Sequence, residues 1–253
     1  MPHDPGRVLL VGAGPGAADL LTVRAARAVG EAQALLYDAL VPQEILDLAP
    51  ANCLKIQTGK RAGRTSMAQT TINRLMVRLA RRGLNVVRLK GGDPSVFGRV
   101  GEEMAALQAA GIEAQVIPGV TAAAAAAAQF GFPLTHRGQA RRVVLTTARL
   151  DQGSLAEDWR AAADPEATLA IYMGGAAAGE IRERLLAAGR PAVTPVLAVE
   201  NAGRPEARLF TGVLAGLAEM IPGHLDGPVL IVVGEVAALA VARQPDLLTE
   251  LAS

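Results

Sequence analysis

Short apolar runs alternate with amphipathic stretches through the first half of the chain. The stretch Ala68–Arg82 places apolar residues at i, i+3, i+4 and i+7 from Ile72, which predicts a helix that ends at Gly83. Because strands and helices alternate in this way, the first half is expected to form a mostly parallel sheet. The predicted strands are Arg7–Val11, Leu35–Tyr37, Val86–Leu89 and Ala114–Ile117, and the other predicted helices are Ala18–Gly30 and Glu102–Ala110.

The pattern changes after Pro133, where the polar and basic segment LTHRGQARR is typical of a connection between domains. A second set of strands and helices follows it. Arg208–Thr211 comes soon after Ala198–Asn201 with a glycine and a proline between them, which predicts a hairpin and therefore a mixed second sheet. We predict an α/β protein of two domains, residues 1–138 and 139–253. The predicted strands of the second are Val143–Thr147, Thr168–Met173, Pro195–Val199, Ala207–Thr211 and Val229–Val233.

Composition narrows the class of protein. About half of the residues are apolar, the formal net charge is +1 and aromatic residues make up 3%. A nucleic-acid-binding protein usually carries a larger basic excess and stacking aromatic residues. The single cysteine, Cys53, excludes an intramolecular disulfide and is expected in or near the core. The N-terminal segment does not have the pattern of a signal peptide, and the most apolar run, Val120–Ala128, is too short to cross a bilayer. We therefore expect a cytoplasmic protein without a nucleic-acid partner, a membrane partner or a metal site.

The first candidate motif is the glycine-rich segment Gly12–Ala17, directly after a predicted strand. It fits G-x-G-x-x-A, the dinucleotide-binding fingerprint, and Asp38 at the end of the next strand could bind a ribose. Pro15, however, removes a backbone N–H from the loop that should bind the pyrophosphate. A plain turn, a dinucleotide site and a site for another ligand remain open for this segment.

The second motif, Arg88–Pro94, reads RLKGGDP and follows another strand. Its two glycines allow a ligand to approach the backbone, and the carboxylate of Asp93 can accept hydrogen bonds from a ligand. In open α/β sheets, ligands bind at the carboxyl ends of the strands. Further motifs with polar residues follow strands or begin helices, so those of the first half should converge on one edge of one sheet. These motifs are Phe97–Glu103, Pro118–Ala122, Pro133–Arg137 and Tyr172–Gly174.

The combination of motifs resembles a known family. In order, the chain contains VGAGPG, VVRLKGGDP followed by FGRVGEE, then PGVTAA, FPLTHR, IYMG, VENAGRPE and PVLIVVGEV. This order resembles that of the uroporphyrinogen-III C-methyltransferases, which are part of the tetrapyrrole methylase superfamily. The resemblance covers about Val8 to Val236, and its most specific part is the block from VVRLKGGDP to GEE.

The resemblance implies two α/β domains with a cofactor cleft between them, a homodimer, and S-adenosyl-L-methionine as cofactor, with S-adenosyl-L-homocysteine as its product. By position it implies substrate-site roles for Asp38, Arg99, Glu102 and Arg137, of which the first three are also catalytic candidates. The implied cofactor contacts are Pro15, Gly91, Gly92, Asp93, Thr121, Ala122, Met173 and Ala202.

The implied reaction is methylation of uroporphyrinogen III at C2 and C7, which gives precorrin-2 through precorrin-1 in the sirohaem, cobalamin or haem d1 branch. Three alternatives are an NAD-dependent oxidoreductase, a sister methylase of the corrin pathway and a non-catalytic tetrapyrrole carrier. The chain departs from the family pattern at Ala39, where arginine is common, at Val100, where glycine is frequent, and at Ala17, where aspartate is common.

Overall fold

The computed structural model describes residues 6–59, 67–148, 162 and 164–241. The chain divides into two compact units, of which the first ends at Thr121 and the second begins at Ala122. The sequence predicted that the second domain begins at residue 139. The structure places residues 122–138 in the second unit instead of the first.

The first unit is built on a five-stranded sheet in which every pair of neighbouring strands is parallel. The order across the sheet is β3-β2-β4-β1-β5, so β4 and β1 lie at its centre. This arrangement confirms the predicted parallel sheet and adds one strand, β3, that the sequence pattern did not predict. The strands are β1 (Val8–Gly12), β2 (Ala34–Tyr37), β3 (Leu54–Gln57), β4 (Val86–Lys90) and β5 (Ala114–Ile117).

Helices cover both faces of this sheet. Successive residues of a strand point to opposite sides, so neighbouring residues pack against different helices. Leu35 packs in a buried cluster with Val29 and Ile45. Its neighbour Leu36 packs in another cluster with Met76 and Leu107. The helices are α1 (Val23–Gly30), α2 (Gln43–Leu46), α3 (Gln69–Ala80) and α4 (Val100–Ala109), and a short 3₁₀ helix covers Ala18–Leu20.

The second unit contains a mixed sheet in the order β6-β7-β10-β8-β9. β6 and β7 pair in parallel, β10 is antiparallel to β7 and β8, and β8 and β9 form an antiparallel pair. The predicted hairpin and mixed sheet are therefore confirmed. The strands are β6 (Arg142–Thr147), β7 (Ala167–Tyr172), β8 (Pro195–Glu200), β9 (Arg208–Val213) and β10 (Val229–Val233), and the helices are α5 (Ala122–Gln129), α6 (Ala178–Ala187) and α7 (Leu217–Met220).

The alanine-rich helix α5 explains the position of the boundary. Its residues Ala123 and Ala126 are buried with Leu197 and Leu230, which belong to strands of the second sheet. The N–H of Ala123 also donates to the hydroxyl of Tyr172 at 3.2 Å. Small side chains allow this helix to pack closely on the sheet, so its burial places it in the second unit.

No helix within the described parts of the chain is long and apolar enough to cross a membrane.

Candidate functional site

Three loops meet at the carboxyl edge of the first sheet, after the neighbouring strands β4, β1 and β5. Gly14 and Gly92 exchange two backbone hydrogen bonds, of 3.2 Å from Gly14 N to Gly92 O and 2.7 Å from Gly92 N to Gly14 O. A Cβ on Gly12 would lie 2.6 Å from the Cα of Gly119, and one on Gly119 would lie 2.3 Å from the carbonyl oxygen of Gly92. The loops can approach this closely only because these positions are glycine.

These hydrogen bonds weigh against the dinucleotide interpretation of the first motif. The N–H of Ala13 donates to the carbonyl of Lys90 at 2.7 Å, and the N–H of Gly14 is used by Gly92. A dinucleotide fingerprint needs N–H groups of the loop and the start of a helix to face the pyrophosphate. Here α1 does not begin until Val23. The glycine-rich segment instead supports the neighbouring loop.

Both carboxylate oxygens of Asp93 accept hydrogen bonds from backbone N–H groups of the protein. Oδ1 accepts a hydrogen bond from the N–H of Ser95 at 2.7 Å, and Oδ2 accepts one from the N–H of Gly119 at 2.9 Å. The side chain therefore fixes the loop after β4 to the loop after β5. The sequence assigned Asp93 to the cofactor, and the structure gives it a role in shaping this edge.

Gly92 leaves space for a ligand at the same edge. Its φ is +68°, a conformation that other residues rarely adopt, and a Cβ built on it would meet no atom within 4 Å. A Cβ on Gly91 would lie 3.5 Å from the Cβ of Leu40. Pro15 and Thr121 are half-buried in loops of the same edge. The backbone at Gly92 is therefore accessible at this edge of the sheet.

Asp38 follows β2, the strand next to β4, and its side chain is 32% exposed. Nη2 of Arg88 lies 2.5 Å from its Oδ1, and the hydroxyl of Thr58 lies 3.4 Å from the same oxygen. Within the described residues, Oδ2 has no hydrogen-bond partner. The carboxylate is thus held through one oxygen and presents the other.

Arg88 belongs to a buried group of charges that the sequence did not assign to the site. Nε of Arg88 lies 3.1 Å from Oε1 of Glu103, and Nζ of Lys90 lies 3.0 Å from the same oxygen. Burial, reinforced by the nearby Arg88 guanidinium, lowers the pKa of the Lys90 ammonium. Glu103 is fully buried although it lies in the first turn of α4. Charges at alternate positions of an otherwise apolar strand, VVRLK, were the signal that could have revealed the group.

Arg99 and Glu102 form a two-pronged ion pair at the start of α4. Nε and Nη2 of Arg99 each lie 2.7 Å from one carboxylate oxygen of Glu102, and both side chains are more than half exposed. The hydrogen bond from Arg99 lowers the pKa of the Glu102 carboxyl. Arg99 has a φ of +57°. Such strain at a non-glycine residue is common where function fixes a side chain.

The other predicted site residues lie in the second unit. Met173 follows β7 with a φ of +58° and is 49% exposed, so its side chain is not part of the core. Ala202 is buried two residues after the end of β8, and Ala122 is half-buried at the start of α5. Arg137 is exposed. The structure therefore brings Pro15, Asp38 and the Gly91–Asp93 loop to one edge of the first sheet, and places these four residues in the other unit.

Polar contacts hold the end of β8 and the loop that follows it, which contains Ala202. Glu200 accepts hydrogen bonds from the N–H groups of Asp226 at 2.7 Å and Gly227 at 2.9 Å, and Nε of Arg208 lies 2.5 Å from its other oxygen. These contacts, led by the one with Arg208, lower the pKa of the Glu200 carboxyl. Gln129 accepts from the N–H of Gly203 at 2.8 Å. Gln129 thus binds the loop after β8, while Glu200 binds Arg208 and the segment before β10.

No group of histidine, cysteine, aspartate and glutamate side chains suited to a metal ion occurs in the part of the chain that the structure describes.

The sequence matches the family model of the tetrapyrrole (corrin/porphyrin) methylases over residues 7–218. The chain belongs to this family. It is 46% identical over 237 residues to the uroporphyrinogen-III C-methyltransferase of Paracoccus denitrificans, an alignment that covers 93% of this chain and 83% of that protein. The tetrapyrrole methylase chain is also 47% identical over 238 residues to the sirohaem synthase of Sodalis glossinidius. That alignment covers 94% of this chain and 50% of the relative, so the chain spans about half the length of the sirohaem synthases it matches.

Solved structures of methylases share the fold. A uroporphyrin-III C-methyl transferase from Thermus thermophilus, complexed with S-adenyl homocysteine, superimposes with a TM-score of 0.80 at 41% identity. That match covers 92% of this chain and 100% of the other. A cobalt precorrin-4 methyltransferase gives a TM-score of 0.81 at 27% identity, over 91% of this chain and 95% of the other. The two-sheet architecture is therefore that of the tetrapyrrole methylases.

Proposed function

We propose that this methylase transfers methyl groups from S-adenosyl-L-methionine to uroporphyrinogen III, at C2 and then C7, and so makes precorrin-2 through precorrin-1. The observation that carries the proposal is the open, backbone-lined edge at Gly92 in a chain that is 46% identical to a uroporphyrinogen-III C-methyltransferase. The lower identity of 27% to a cobalt precorrin-4 methyltransferase favours uroporphyrinogen III over a later corrin intermediate.

The cofactor would be held by the loops of the first sheet. Gly91 and Gly92 expose backbone at the strand end, and Asp93 keeps their loop against the loop of Gly119. When bound, S-adenosyl-L-methionine supplies a methyl group that is already activated by the sulfonium. Pro15, Thr121, Ala122, Met173 and Ala202 remain predicted contacts. The contribution of the protein would be alignment and exclusion of water rather than chemical activation.

The substrate carries eight carboxylates, so its site needs fixed cations although the chain as a whole is close to neutral. Arginine suits this role because its planar fork binds a carboxylate with two hydrogen bonds and stays charged. In the ligand-free chain this fork is bound to Glu102, so a substrate carboxylate would take the place of Glu102 on Arg99. We assign Arg99 and Arg137 to the substrate carboxylates.

Each new carbon–carbon bond leaves a cationic ring that regains neutrality when it loses a proton. Asp38 and Glu102 are the candidate acceptors. In the ligand-free chain both oxygens of Glu102 are bound by Arg99, so neither is open to a proton donor. Asp38 is held through Oδ1 alone. We therefore assign the proton to Asp38 and a substrate-orienting role to the Arg99–Glu102 pair. The family resemblance further predicts a cytoplasmic homodimer.

Incubation of the purified chain with uroporphyrinogen III and S-adenosyl-L-methionine labelled in its methyl group tests the proposal. We expect label in the tetrapyrrole and, by calorimetry, binding of S-adenosyl-L-homocysteine but not of NAD. Label transfer to a later corrin intermediate in preference to uroporphyrinogen III would support the sister methylase instead. Binding of the tetrapyrrole without transfer would support the carrier.

A further inference from the structure

The central strand β4 contains two buried cations. Arg88 and Lys90 are each only 3% exposed, and because they are two residues apart they lie on the same face of the strand. A central strand of a parallel sheet is normally apolar throughout, since both of its faces are covered. The presence of two charges here requires a physical reason.

Three of the nitrogen atoms of Arg88 bind side chains of three different segments. Nε lies 3.1 Å from Oε1 of Glu103, Nη1 lies 3.1 Å from the hydroxyl of Thr58, and Nη2 lies 2.5 Å from Oδ1 of Asp38. A planar guanidinium can make these contacts at once, whereas the single ammonium of lysine cannot reach all three. Arg88 therefore fixes Asp38 relative to α4 and to the loop after β3.

Glu103 fixes Arg88 in turn. Its Oε1 also lies 3.0 Å from Nζ of Lys90 and 3.1 Å from Nε2 of Gln69, so one oxygen is bound by three donors. The two cations are balanced by two carboxylates. Glu103 is fully buried, and Asp38 is the member of the group with the most exposed side chain. The charged group thus begins in the core and ends at the edge of the sheet where the candidate site lies.

Stability alone does not account for this group. Removing charges from water costs several kcal/mol per ion, and apolar residues of similar volume often serve a core equally well or better. A buried ionic group does, however, restrict the directions in which its members can point. That restriction would be useful for a carboxylate that must accept a proton at one position.

We propose that Arg88, held by Glu103 and Thr58, is a positioning residue that fixes the carboxylate of Asp38 for proton removal from the methylated tetrapyrrole. The inference rests on the proposed function of Asp38. Arg88 acts through Asp38 and need not touch the substrate or the cofactor, so its effect should fall on kcat and not on binding.

The variant Arg88→Lys keeps the charge and loses the fork. We expect kcat to fall at least tenfold, with KM for uroporphyrinogen III and the affinity for S-adenosyl-L-homocysteine within twofold of wild type. A matched control is Arg190→Lys in the second unit. Arg190 is as buried as Arg88, at 2% exposed, but it binds backbone carbonyls, such as that of Ala167 at 3.1 Å. Arg190→Lys should lose stability and retain kcat. An equal loss of kcat in both variants would assign the effect to the fold and overturn the proposal.

The milder variant Thr58→Val removes the hydroxyl that Arg88 binds at 3.1 Å, and with it the contacts of that hydroxyl to the carbonyl of Tyr37 at 3.0 Å and to Oδ1 of Asp38 at 3.4 Å. It covers the case in which Arg88→Lys does not fold. We expect a kcat several-fold below wild type with unchanged KM. Wild-type kcat in a folded Arg88→Lys or in Thr58→Val would overturn the proposal.

Crystal structures of the ligand-free variants give a readout that does not depend on turnover. The proposal expects the Asp38 carboxylate to leave its wild-type position in Arg88→Lys, or in Thr58→Val if only that variant folds. An unmoved carboxylate would overturn it. A wild-type chain that transfers no methyl group would refute the proposed function, and the position of Asp38 would still decide whether Arg88 fixes it.

Discussion

Oδ2 of Asp93 accepts a hydrogen bond from the backbone N–H of Gly119 at 2.9 Å and so joins the loops that follow β4 and β5. Its other oxygen is bound by Ser95 within its own loop. The carboxylate therefore links two loops at the edge of the sheet where the cofactor is proposed to bind. An effect of Asp93 on the cofactor would be transmitted by the shape of the loop.

The variant Asp93→Asn should weaken both the fold and cofactor binding. An amide has one acceptor oxygen, so its NH₂ group would face one of the two N–H donors. A hydrogen bond to a charged group contributes about 1.5–3 kcal/mol, and we expect a loss of this order in the free energy of unfolding, measured in urea. Calorimetry should show weaker binding of S-adenosyl-L-homocysteine. Asp47→Asn, at an exposed carboxylate that binds Gln43, is the control. Unchanged stability in Asp93→Asn would contradict the bracing role.

The open space beside Gly92 allows a matched pair of alanine variants. Gly92 and Gly111 have φ values of +68° and +69°, and a Cβ on either would meet no atom within 4 Å. Alanine in this left-handed conformation costs roughly 1–2 kcal/mol, so both variants should lose similar stability. Only Gly92→Ala should weaken S-adenosyl-L-homocysteine binding, by at least tenfold or about 1.4 kcal/mol in calorimetry. Equal affinities of the two variants would place the cofactor elsewhere.

The fork of Arg99 should matter more than its charge. We expect Arg99→Lys to lose most of its activity at limiting uroporphyrinogen III and to retain its fold and its affinity for S-adenosyl-L-homocysteine. Its exposed ion pair contributes little to stability. Arg184→Lys is the control, because Arg184 forms a comparable exposed pair with Glu180 on α6. If cofactor affinity falls in parallel with activity, Arg99 has been assigned to the wrong ligand.

Acid should weaken the contacts that Glu200 makes with Arg208 and with the backbone of Asp226 and Gly227. The pKa of this carboxyl is lowered, chiefly by Arg208, from its usual value of 4.5. A carboxyl whose folded pKa is lowered stabilises the fold above its usual pKa, and this contribution is lost as the pH falls through the folded value. We therefore expect Glu200→Gln to unfold at lower urea than wild type at neutral pH, and the difference to shrink below about pH 4. A difference that is independent of pH would contradict this.

The sequence predicted the two sheets because their strands are apolar runs between clear turn signals. It missed β3, since Leu54–Gln57 is only half-buried at the sheet edge and contains Lys55. It also placed the domain boundary later in the chain than the structure does. The polar segment after Pro133 indicated a linker, whereas the sequence gives no sign that α5 packs on the second sheet. That packing depends on which face of α5 is covered, and a helix of seven alanines and one glutamine has no amphipathic pattern to reveal it.

The positions of the site loops could be predicted because parallel strands end at the same edge. The buried group around Arg88 could not, since the sequence does not show that Glu103 points into the core while Glu102, its neighbour, points outward. The two residues differ by about 100° around α4, and only the packing of that helix on the sheet decides which is buried. The internal role of Asp93 was hidden for a similar reason, because Gly119 is distant in sequence.

Mass spectrometry of the tetrapyrrole during turnover tests the central claim most directly. The purified chain is mixed with uroporphyrinogen III and excess S-adenosyl-L-methionine, and the products are sampled over time. We predict a transient species with one added methyl group, followed by a final product with two. A tetrapyrrole that gains no methyl group, while the chain binds S-adenosyl-L-homocysteine and is folded, would contradict it.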